Sequence, residues 1–339
     1  MSNSTQKGTE SLSSIYQASR PSNIALIKYM GKEDTGDLNQ STNSSLSYSL
    51  ESLRTFVQLT VIDSFMLESV VMSDQWKNLK GEGLFQTELS QKGKEKFLKH
   101  LKFLKQEFGV KENFLIESAN NFPADCGLAS SASSFAALTD AAFTAFRALG
   151  YEKANKVDVQ MMAQYSQKGS GSSCRSFFGP WALWHKEGVR AIELPMGALR
   201  HMVVVVDDQR KDVSSSEAHL RVKTSSLFVN RVARAEERLA NLLEALKSQD
   251  WQKSFEITWA EFWDMHALFE TSYPSFGYMT ADSLKVLQAG KAFWKQQGDG
   301  PLITMDAGPN VHFLFREDQK NMQEKLYQEL SKAYKVFSS

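Results

Sequence analysis

The stretch NNFPADCGLASSASS, residues 120–134, decides how the rest of the chain is interpreted. Its first half holds turn-forming Asn, Pro, Asp and Gly residues, and its second half is mostly alanine and serine. A strand-like segment, NFLIESA (113–119), precedes it, and strong helix formers follow from about 129 to 149 and end at Gly150. A flexible linker would be flanked by irregular sequence, so we interpret the stretch as a loop between a strand and a helix.

The same loop has features of a phosphate-binding site. Gly127 permits a tight turn, and the small residues at 129–132 leave the first backbone N–H groups of the helix accessible. Those groups and the helix dipole favour phosphate, and the hydroxyls of Ser130 and Ser131 could add hydrogen bonds or a metal ligand. The loop is not a Walker A motif, because GxxxxGK[ST] is missing. From these residues alone an ordinary capped helix is the commoner outcome and the phosphate loop is the alternative.

Composition narrows the class of protein. The chain has 339 residues, 42% of them hydrophobic, with formal net charge +0, which suits one large domain or two closely joined ones. The charge balance argues against general binding to nucleic acid or to membrane surfaces. Cys126 and Cys174 form no CxxC pair, so a disulfide scaffold or zinc site is not expected and a reducing cytosol is favoured. The polar N-terminus lacks the apolar run of a signal peptide, and MVVVVDD (202–208) is too short to span a bilayer, so we expect a cytoplasmic protein.

The order of predicted elements indicates an α+β fold. Strands are predicted over 22–29, 44–62 (as an antiparallel pair), 113–119, 176–185 and 201–208. A strand–turn–strand unit is predicted over 301–315. Helices are predicted over 94–108, over 129–149, through most of 225–297 with a break at Pro274, and at the C-terminus. Because strands dominate the first two thirds and helices the third quarter, we expect two halves that share a deep cleft.

Four segments together resemble the diphosphomevalonate decarboxylases, a family within the GHMP kinase superfamily. They are SNIALIKYMGK (22–32), NNFPADCGLASSAS (120–133), KGSGSSCRSFFG (168–179) and TMDAGPNVH (304–312). NSSLSYSL (43–50) and KDVSSSEAH (211–219) are also similar to the family. All six occur in the family's order, so the resemblance covers nearly the whole chain.

The resemblance implies a fold and a domain division. The expected fold is that of the GHMP kinases, with a ribosomal S5 domain 2-like N-terminal half and a helical, ferredoxin-like C-terminal half. We predict a polar leader over 1–18, an ATP-binding N-terminal domain over 19–200 and a C-terminal domain over 201–339.

The resemblance also implies an activity. Members of the family use ATP to phosphorylate the C3 hydroxyl of mevalonate 5-diphosphate, then release phosphate and CO2 to give isopentenyl diphosphate for isoprenoid and lipid biosynthesis. ATP as co-substrate, Mg²⁺ and a homodimer are therefore expected. The alternatives are another GHMP small-molecule kinase, a decarboxylase of a differently phosphorylated mevalonate, and a catalytically silent sensor of nucleotide or isoprenoid diphosphate.

Three residues match the family's catalytic positions. Asp306, at a strand end before a Gly-Pro turn, matches the catalytic aspartate that accepts or orients the hydroxyl proton. Lys28 would lie beside it, and Arg175 matches the arginine that holds the substrate carboxylate. Without the resemblance, a turn-capping aspartate, an exposed lysine at a strand end and an ordinary arginine ion pair are the simpler readings.

The remaining site residues also follow from the resemblance. Tyr29, Lys32, Ser170 and Ser172, with Arg175, match substrate-binding positions. The expected ATP contacts are Gly127, Leu128, Ala129, Ser130, Ser131, Ser133 and Ser215, with Ser130 or Ser131 as the metal ligand. N-capping of a helix is the equally simple role for Ser214, Ser215 and Ser216. His219, His266 and His312 have no metal-site spacing and are expected to be structural.

The chain departs from the family pattern at several places. Met30 stands where tryptophan is frequent, and Ser173 stands where alanine is usual. An arginine that the family directs at the diphosphate has no clear counterpart, and Lys92 and Lys94 are the nearest cations in the sequence. Tyr29 and Lys32 still favour a diphosphate at C5 of the substrate.

Overall fold

The computed structural model describes residues 14–33, 39–62, 74–86, 89, 91–122, 130–207 and 211–338. The first half of the chain builds a sheet around one long central strand. Its strands are β1 (Ile15–Ile27), β2 (Ser45–Ile62), β3 (Gln75–Asn78), β4 (Phe85–Gln86), β5 (Asn113–Asn120), β6 (Trp181–His185) and β7 (Gly188–Ile192). The order across the sheet is β3-β5-β2-β6-β7, with β1 also paired to β2 and β4 paired to β5.

Helices cover this first sheet. They are α1 (Gln91–Phe108), α2 (Ser130–Ala148), α3 (Glu152–Asn155) and α4 (Val159–Gly169), followed by a 3₁₀ helix over Gly171–Phe177. Most residues of α2 are buried, and its many alanines let it pack closely on β1 and β2.

The second half forms a four-stranded sheet with its own helices. Its strands, β8 (Leu199–Val205), β9 (Leu302–Met305), β10 (Val311–Arg316) and β11 (Lys335–Ser338), are ordered β11-β8-β10-β9. The helices are α5 (Ser215–Arg221), α6 (Arg231–Lys247), α7 (Trp251–Glu270), α8 (Ala281–Gln297) and α9 (Lys320–Leu330). Short 3₁₀ turns lie at Val222–Thr224, Ser226–Phe228 and Glu317–Gln319.

The two halves share apolar contacts. One buried cluster joins Leu26 of β1 and Leu46 of β2 to Val203 of β8 and Leu242 of α6. Side chains from both halves are therefore held in fixed positions at the junction. Among the helices described, none combines the length and apolar character that a bilayer crossing requires.

The prediction of two strands over 44–62 is wrong, because the segment is one continuous strand of 18 residues. Its first part pairs with β6 and its last part with β5, while β1 pairs with it along most of its length. Pairing with these strands keeps β2 extended, so the chain does not turn within this segment.

Other boundaries also differ from the sequence predictions. β1 begins at Ile15 and ends at Ile27, so Lys28 and Tyr29 lie just beyond its end. The strand predicted over 176–185 is shorter, because its first residues belong to the 3₁₀ helix and β6 begins only at Trp181. The short strands β3, β4, β7 and β11 were not predicted.

Candidate active site

Lys28 and Asp306 form an ion pair where the end of β1 faces the end of β9. Lys28 Nζ lies 2.8 Å from Asp306 Oδ1. The Lys28 side chain is 2% exposed and that of Asp306 is 28% exposed. The pair is therefore buried on the lysine side and open on the aspartate side, where a ligand could reach the carboxylate.

Burial and neighbouring charges shift the protonation of both groups. Burial lowers the pKa of Lys28, and the charge of Asp306 opposes this effect. Burial also disfavours the charged form of Asp306, but the proximity of Lys28, His312 and Arg175 outweighs it and holds its pKa below the usual value. Asp306 is thus an ionised carboxylate at neutral pH, suited to accept a hydroxyl proton.

Residues that the sequence analysis did not place in the site hold the main chain of this pair. The Lys28 N–H donates to Glu261 Oε1 at 3.0 Å, and Asn43 Nδ2 donates to the Lys28 carbonyl oxygen at 3.0 Å. His266 Nε2 lies 3.1 Å from the carbonyl oxygen of Asp306. The sequence signal that could have found them is the presence of the ionisable Glu261 and His266 on the buried face of α7, where Ser254 and Thr258 are also buried.

Arg175 is buried in the 3₁₀ helix and held by two polar contacts. Its Nε donates to Asn23 Oδ1 at 3.2 Å, and its Nη1 donates to Ser45 Oγ at 2.9 Å. Its charge contributes to the lowered pKa of both Lys28 and Asp306, so the three side chains share one electrostatic environment. The structure therefore brings together the three residues expected to be catalytic.

Asn39 links the two substrate-site candidates that follow β1. Tyr29 Oη donates to the Asn39 carbonyl oxygen at 3.1 Å, and Lys32 Nζ donates to Asn39 Oδ1 at 2.7 Å. The Asn39 side-chain amide in turn donates to the carbonyl oxygens of Gln167 and Lys168, each at 3.0 Å. This loop is thereby tied to the segment that carries Ser170 and Ser172.

Glycine allows close approaches beside Tyr29. A Cβ atom on Gly171 would lie 2.7 Å from Tyr29 Oη, and Gly31, at φ +101°, has a conformation that side chains rarely adopt. The Gly31 N–H donates to His219 Nδ1 at 3.1 Å, and the His219 ring lies 4.1 Å from the Tyr29 ring, centroid to centroid. His219 is thus a structural support of this loop, as its sequence context indicated.

The serines of the 168–179 segment point in different directions. Ser170 and Ser172 are half-buried, and their hydroxyl oxygens lie 3.5 Å apart. Ser173 is buried, and its hydroxyl contacts Ser166 Oγ at 2.9 Å and the Ser170 carbonyl oxygen at 2.7 Å. Ser170 and Ser172 are thus accessible, whereas Ser173 satisfies its hydroxyl within the fold.

Only part of the expected phosphate loop lies in the described ranges. Gly127, Leu128 and Ala129 fall outside them. At the start of α2, Ser130 is half-buried, Ser131 is exposed and Ser133 is buried. The hydroxyl of Ser133 contacts Thr55 Oγ1 at 2.7 Å, so this oxygen is engaged within the core.

A second cation lies near Lys32. Burial and the proximity of Lys96 lower the pKa of Lys32. Lys96 Nζ also lies 3.5 Å from the hydroxyl of Ser216, in the helix that begins at the exposed Ser215. Lys94, a nearest cation in the sequence analysis, instead lies over the Trp76 ring at 5.1 Å.

The other candidates have structural roles. Ser214 caps α5 by accepting a hydrogen bond from the Glu217 N–H. Cys174 is buried, and burial raises the pKa of its thiol to about 12, which disfavours a nucleophilic role. Within the described ranges, no group of three or more His, Cys, Asp or Glu side chains is arranged to hold a metal ion.

Comparison with known proteins finds relatives along nearly the whole chain. Residues 20–191 match the family model of the diphosphomevalonate decarboxylase-like N-terminal domain, and residues 201–338 match the mevalonate 5-diphosphate decarboxylase C-terminal domain. The diphosphomevalonate decarboxylase of Candida albicans is 34% identical, over 95% of this chain and 89% of that protein. That of Saccharomyces cerevisiae is 30% identical, over 90% of this chain and 80% of that protein.

Solved structures agree with these matches. The mevalonate diphosphate decarboxylase of Legionella pneumophila is 44% identical with a TM-score of 0.86, over 96% of this chain and 100% of that chain. A complex of MDDEF with MVAPP, AMPPCP and magnesium is 28% identical with a TM-score of 0.81, over 96% of this chain and 97% of that chain. The expected α+β fold of the GHMP kinase type, and the resemblance that led to it, are confirmed by these comparisons.

Proposed function

The chain belongs to the diphosphomevalonate decarboxylase family, and we propose that Lys28, Asp306 and Arg175 are the residues that carry its reaction. The enzyme uses ATP to decarboxylate mevalonate 5-diphosphate in the mevalonate pathway, which yields isopentenyl diphosphate, ADP, phosphate and CO2. The observation that carries the residue assignment is the 2.8 Å contact between Lys28 Nζ and the partly open Asp306 carboxylate.

Asp306 acts on the tertiary hydroxyl at C3. Its carboxylate accepts the hydroxyl proton while the hydroxyl oxygen attacks the γ-phosphorus of ATP and ADP departs. The bond between C3 and the phosphorylated oxygen then breaks, and phosphate leaves with its electron pair, because phosphate is a far better leaving group than hydroxide. The bond between the carboxylate carbon and C2 also breaks. Its electron pair forms the double bond between C2 and C3, and CO2 leaves.

Lys28 keeps Asp306 ionised and compensates developing charge. Its ammonium is almost fully buried, so it interacts with the phosphoryl group in a medium less polarisable than water. It also prevents Asp306 from taking up a proton from solvent before the substrate arrives.

Arg175 holds the substrate carboxylate. Its guanidinium is held by Asn23 and Ser45, so little conformational freedom is lost when a carboxylate binds. A carboxylate fixed in this way keeps the breaking bond aligned with the leaving phosphate until CO2 departs.

Tyr29, Lys32, Ser170 and Ser172 bind the substrate, with the phenol and the ammonium group directed at the C5 diphosphate. We add Lys96 to this set as the cation that takes the place of the family's arginine. The electrostatic influence of Lys96 on Lys32 supports this assignment, because two close like charges favour a bound polyanion.

The beginning of α2 is the proposed nucleotide site. The accessible hydroxyls of Ser130 and Ser131, the loop residues Gly127–Ala129 before them, and Ser215 of α5 would contact the ATP phosphates. A nucleotide contact from Ser133 requires its hydroxyl to be shared with Thr55. Hydroxyl oxygens are hard ligands of the kind that Mg²⁺ accepts, so Ser130 or Ser131 would hold the ion together with the phosphates, whose charge it reduces.

The domain division and the cellular setting are proposals of the same kind. The two matched family models, over 20–191 and 201–338, support domains over 19–200 and 201–339. Strand β1 begins at Ile15, so the N-terminal domain extends into the end of the polar leader expected over 1–18. Charge neutrality and the paucity of cysteine support a cytoplasmic location without nucleic-acid or membrane partners.

The exposed side chains of Leu220, Leu227, Val229 and Tyr273 support a homodimer interface, which light scattering can test.

The first experiment is an incubation of the protein with Mg-ATP and mevalonate 5-diphosphate in which ADP and CO2 are measured together. Equal release of ADP and CO2 is the expected result. Release of ADP without CO2 would indicate a kinase, and an absence of ADP would direct the assay to mevalonates with other phosphorylation. Binding of nucleotide without turnover of any of them would indicate the silent sensor.

A further inference from the structure

One helix contacts the main chain of both members of the Lys28–Asp306 pair. Glu261 of α7 accepts a hydrogen bond from the Lys28 N–H at 3.0 Å. Five residues later in α7, His266 lies with Nε2 at 3.1 Å from the Asp306 carbonyl oxygen. A carbonyl oxygen only accepts hydrogen bonds, so His266 donates through its Nε2–H.

The Glu261 carboxylate is itself fixed. It is fully buried, and both of its oxygens are bonded to Arg231, at 2.5 Å and 3.1 Å. Arg238 adds a contact of 3.0 Å to Glu261 Oε2, and Arg231 also reaches the Lys28 carbonyl oxygen at 3.4 Å. Arginine forks hold a carboxylate in one orientation, so the acceptor facing Lys28 has little freedom to move.

His266 is fixed by different contacts. It is buried, with its ring edge-on to Phe269 at 5.2 Å between centroids. Burial lowers the pKa of His266 to about 3, so the ring is neutral under working conditions and its single proton resides on Nε2.

An α-helix makes a rigid spacer between two such contacts. Five residues correspond to about 7.5 Å along the axis. The neighbours Phe262 and Met265 are buried in the apolar core, which prevents α7 from sliding. Lys28 and Asp306 come from distant parts of the chain, and α7 contacts the backbones of both.

We propose that Glu261 and His266 are positioning residues that set the distance between Lys28 and Asp306. The inference rests on the proposed roles of that pair. A displacement of the order of 1 Å at a reacting group costs about a hundredfold in rate, so a fixed main chain on both sides serves the reaction directly.

Asp264 provides a matched control for Glu261. It lies in the same helix and also pairs with Arg231, at 3.0 Å, and with Arg238, at 2.7 Å. The contact to the Lys28 N–H is made by Glu261. Asp264→Asn therefore weakens the same charge cluster and leaves the Lys28 contact in place.

The test compares Glu261→Asp, Glu261→Gln and Asp264→Asn in steady-state assays of the full-length protein. Glu261→Asp keeps the charge, but the shorter side chain withdraws the carboxylate from the Lys28 N–H by one methylene. It should lower kcat ten- to a hundredfold, while KM for both substrates stays within about twofold of the wild-type value. Glu261→Gln keeps an oxygen that can accept from the Lys28 N–H, so it should lower kcat less than Glu261→Asp does. Asp264→Asn should keep kcat within about twofold of the wild type. If Asp264→Asn lowers kcat as much as Glu261→Asp does, the cluster is structural and the inference fails.

Variants of His266 test the positioning role independently of Glu261. His266→Phe removes the donor to Asp306 and should lower kcat about tenfold, whereas His266→Gln keeps an N–H donor and should recover part of that loss. Equal kcat values for the two variants would overturn the role of His266. Asp306→Asn and Lys28→Met serve as reference variants. If both keep the wild-type kcat, the proposed catalytic roles of Lys28 and Asp306 are wrong. If kcat collapses in both but is unchanged in Glu261→Asp and His266→Phe, only the positioning role is wrong.

Discussion

The ammonium group of Lys28 lies 2.8 Å from the carboxylate of Asp306, although 278 residues separate them in the chain. The lysine is almost completely shielded from water, and the aspartate keeps an open face. Such a pair stabilises an ionised acceptor without a solvent-exposed counter-ion, so proton acceptance and charge compensation are both available at one point.

Asp306→Asn should reduce kcat by about 10²–10⁴, because the amide cannot accept the hydroxyl proton. The amide keeps nearly the same shape, so KM for ATP and for mevalonate 5-diphosphate should change little. Initial-rate assays that follow ADP and CO2 provide the measurement. Turnover near the wild-type value would exclude Asp306 from the chemical step.

Lys28→Met should move the acidic limb of the kcat–pH profile to higher pH. The charge of Lys28 contributes to the low pKa of Asp306, so its removal raises that pKa and the carboxylate becomes protonated at a higher pH. The profile would be measured from pH 5 to 9, with Lys285→Met, a lysine paired with Asp282 on the surface, as control. An unchanged acidic limb would mean that the lysine does not control ionisation of the aspartate.

The sequence predicted the individual site residues better than their surroundings. The motif around Asp306 and the segment around Lys28 each suggested one half of the ion pair through their resemblance to the family, whereas the residues alone favoured a turn-capping aspartate and an exposed lysine. The hydrogen bonds of Glu261 and His266 to the backbone of that pair could not be predicted, since polar residues on the buried face of a helix do not by themselves reveal their partners. Their partners depend on how two halves of the chain pack, which local sequence does not encode.

Arg175→Lys should raise KM for mevalonate 5-diphosphate and also lower kcat. Arg175 uses Nε and Nη1 to hold Asn23 and Ser45, and a lysine cannot make both contacts while it binds a carboxylate. We expect a combined loss in kcat/KM of at least about tenfold, equivalent to about 1.4 kcal/mol. Unchanged values of both constants would show that another group holds the carboxylate.

Lys96→Met should raise KM for mevalonate 5-diphosphate about tenfold with little effect on KM for ATP. Lys96 lies close enough to Lys32 to lower its pKa, so its loss removes positive charge from the proposed diphosphate site. Lys94→Met is the matched control, because Lys94 lies in the same helix but stacks on Trp76. Equal KM values for the two variants would remove Lys96 from the diphosphate site.

Helix α1 shows where local sequence patterns no longer predict the contacts of a side chain. Most lysines of α1 lie on its solvated face, but Lys96 also contacts Ser216 of α5. The long strand β2 gives a second example, since its length depends on pairing with β1, β5 and β6 rather than on its own alternation. Contacts between distant segments determine both features.

Acid should destabilise the protein between about pH 6.5 and pH 3, because several histidines are buried in the neutral form. Burial lowers the pKa of His100 to about 3, that of His266 to about 3 and that of His312 to about 4. In the unfolded chain a histidine has a pKa of about 6.5, so below that pH the unfolded state binds protons that the folded state excludes. The free energy of unfolding therefore falls as the pH decreases, by about 1.4 kcal/mol per pH unit for each such histidine.

His100→Gln isolates one of these contributions away from the candidate site. The His100 Nε2 atom lies 2.9 Å from Thr139 Oγ1 in the core of the N-terminal half, and glutamine can keep a polar contact there without titrating. Urea unfolding at several pH values between 4 and 7 should give a shallower pH dependence for the variant, by about one proton. If its slope equals that of the wild type, His100 takes up a proton in the folded state as readily as in the unfolded chain, and its burial does not contribute to acid sensitivity.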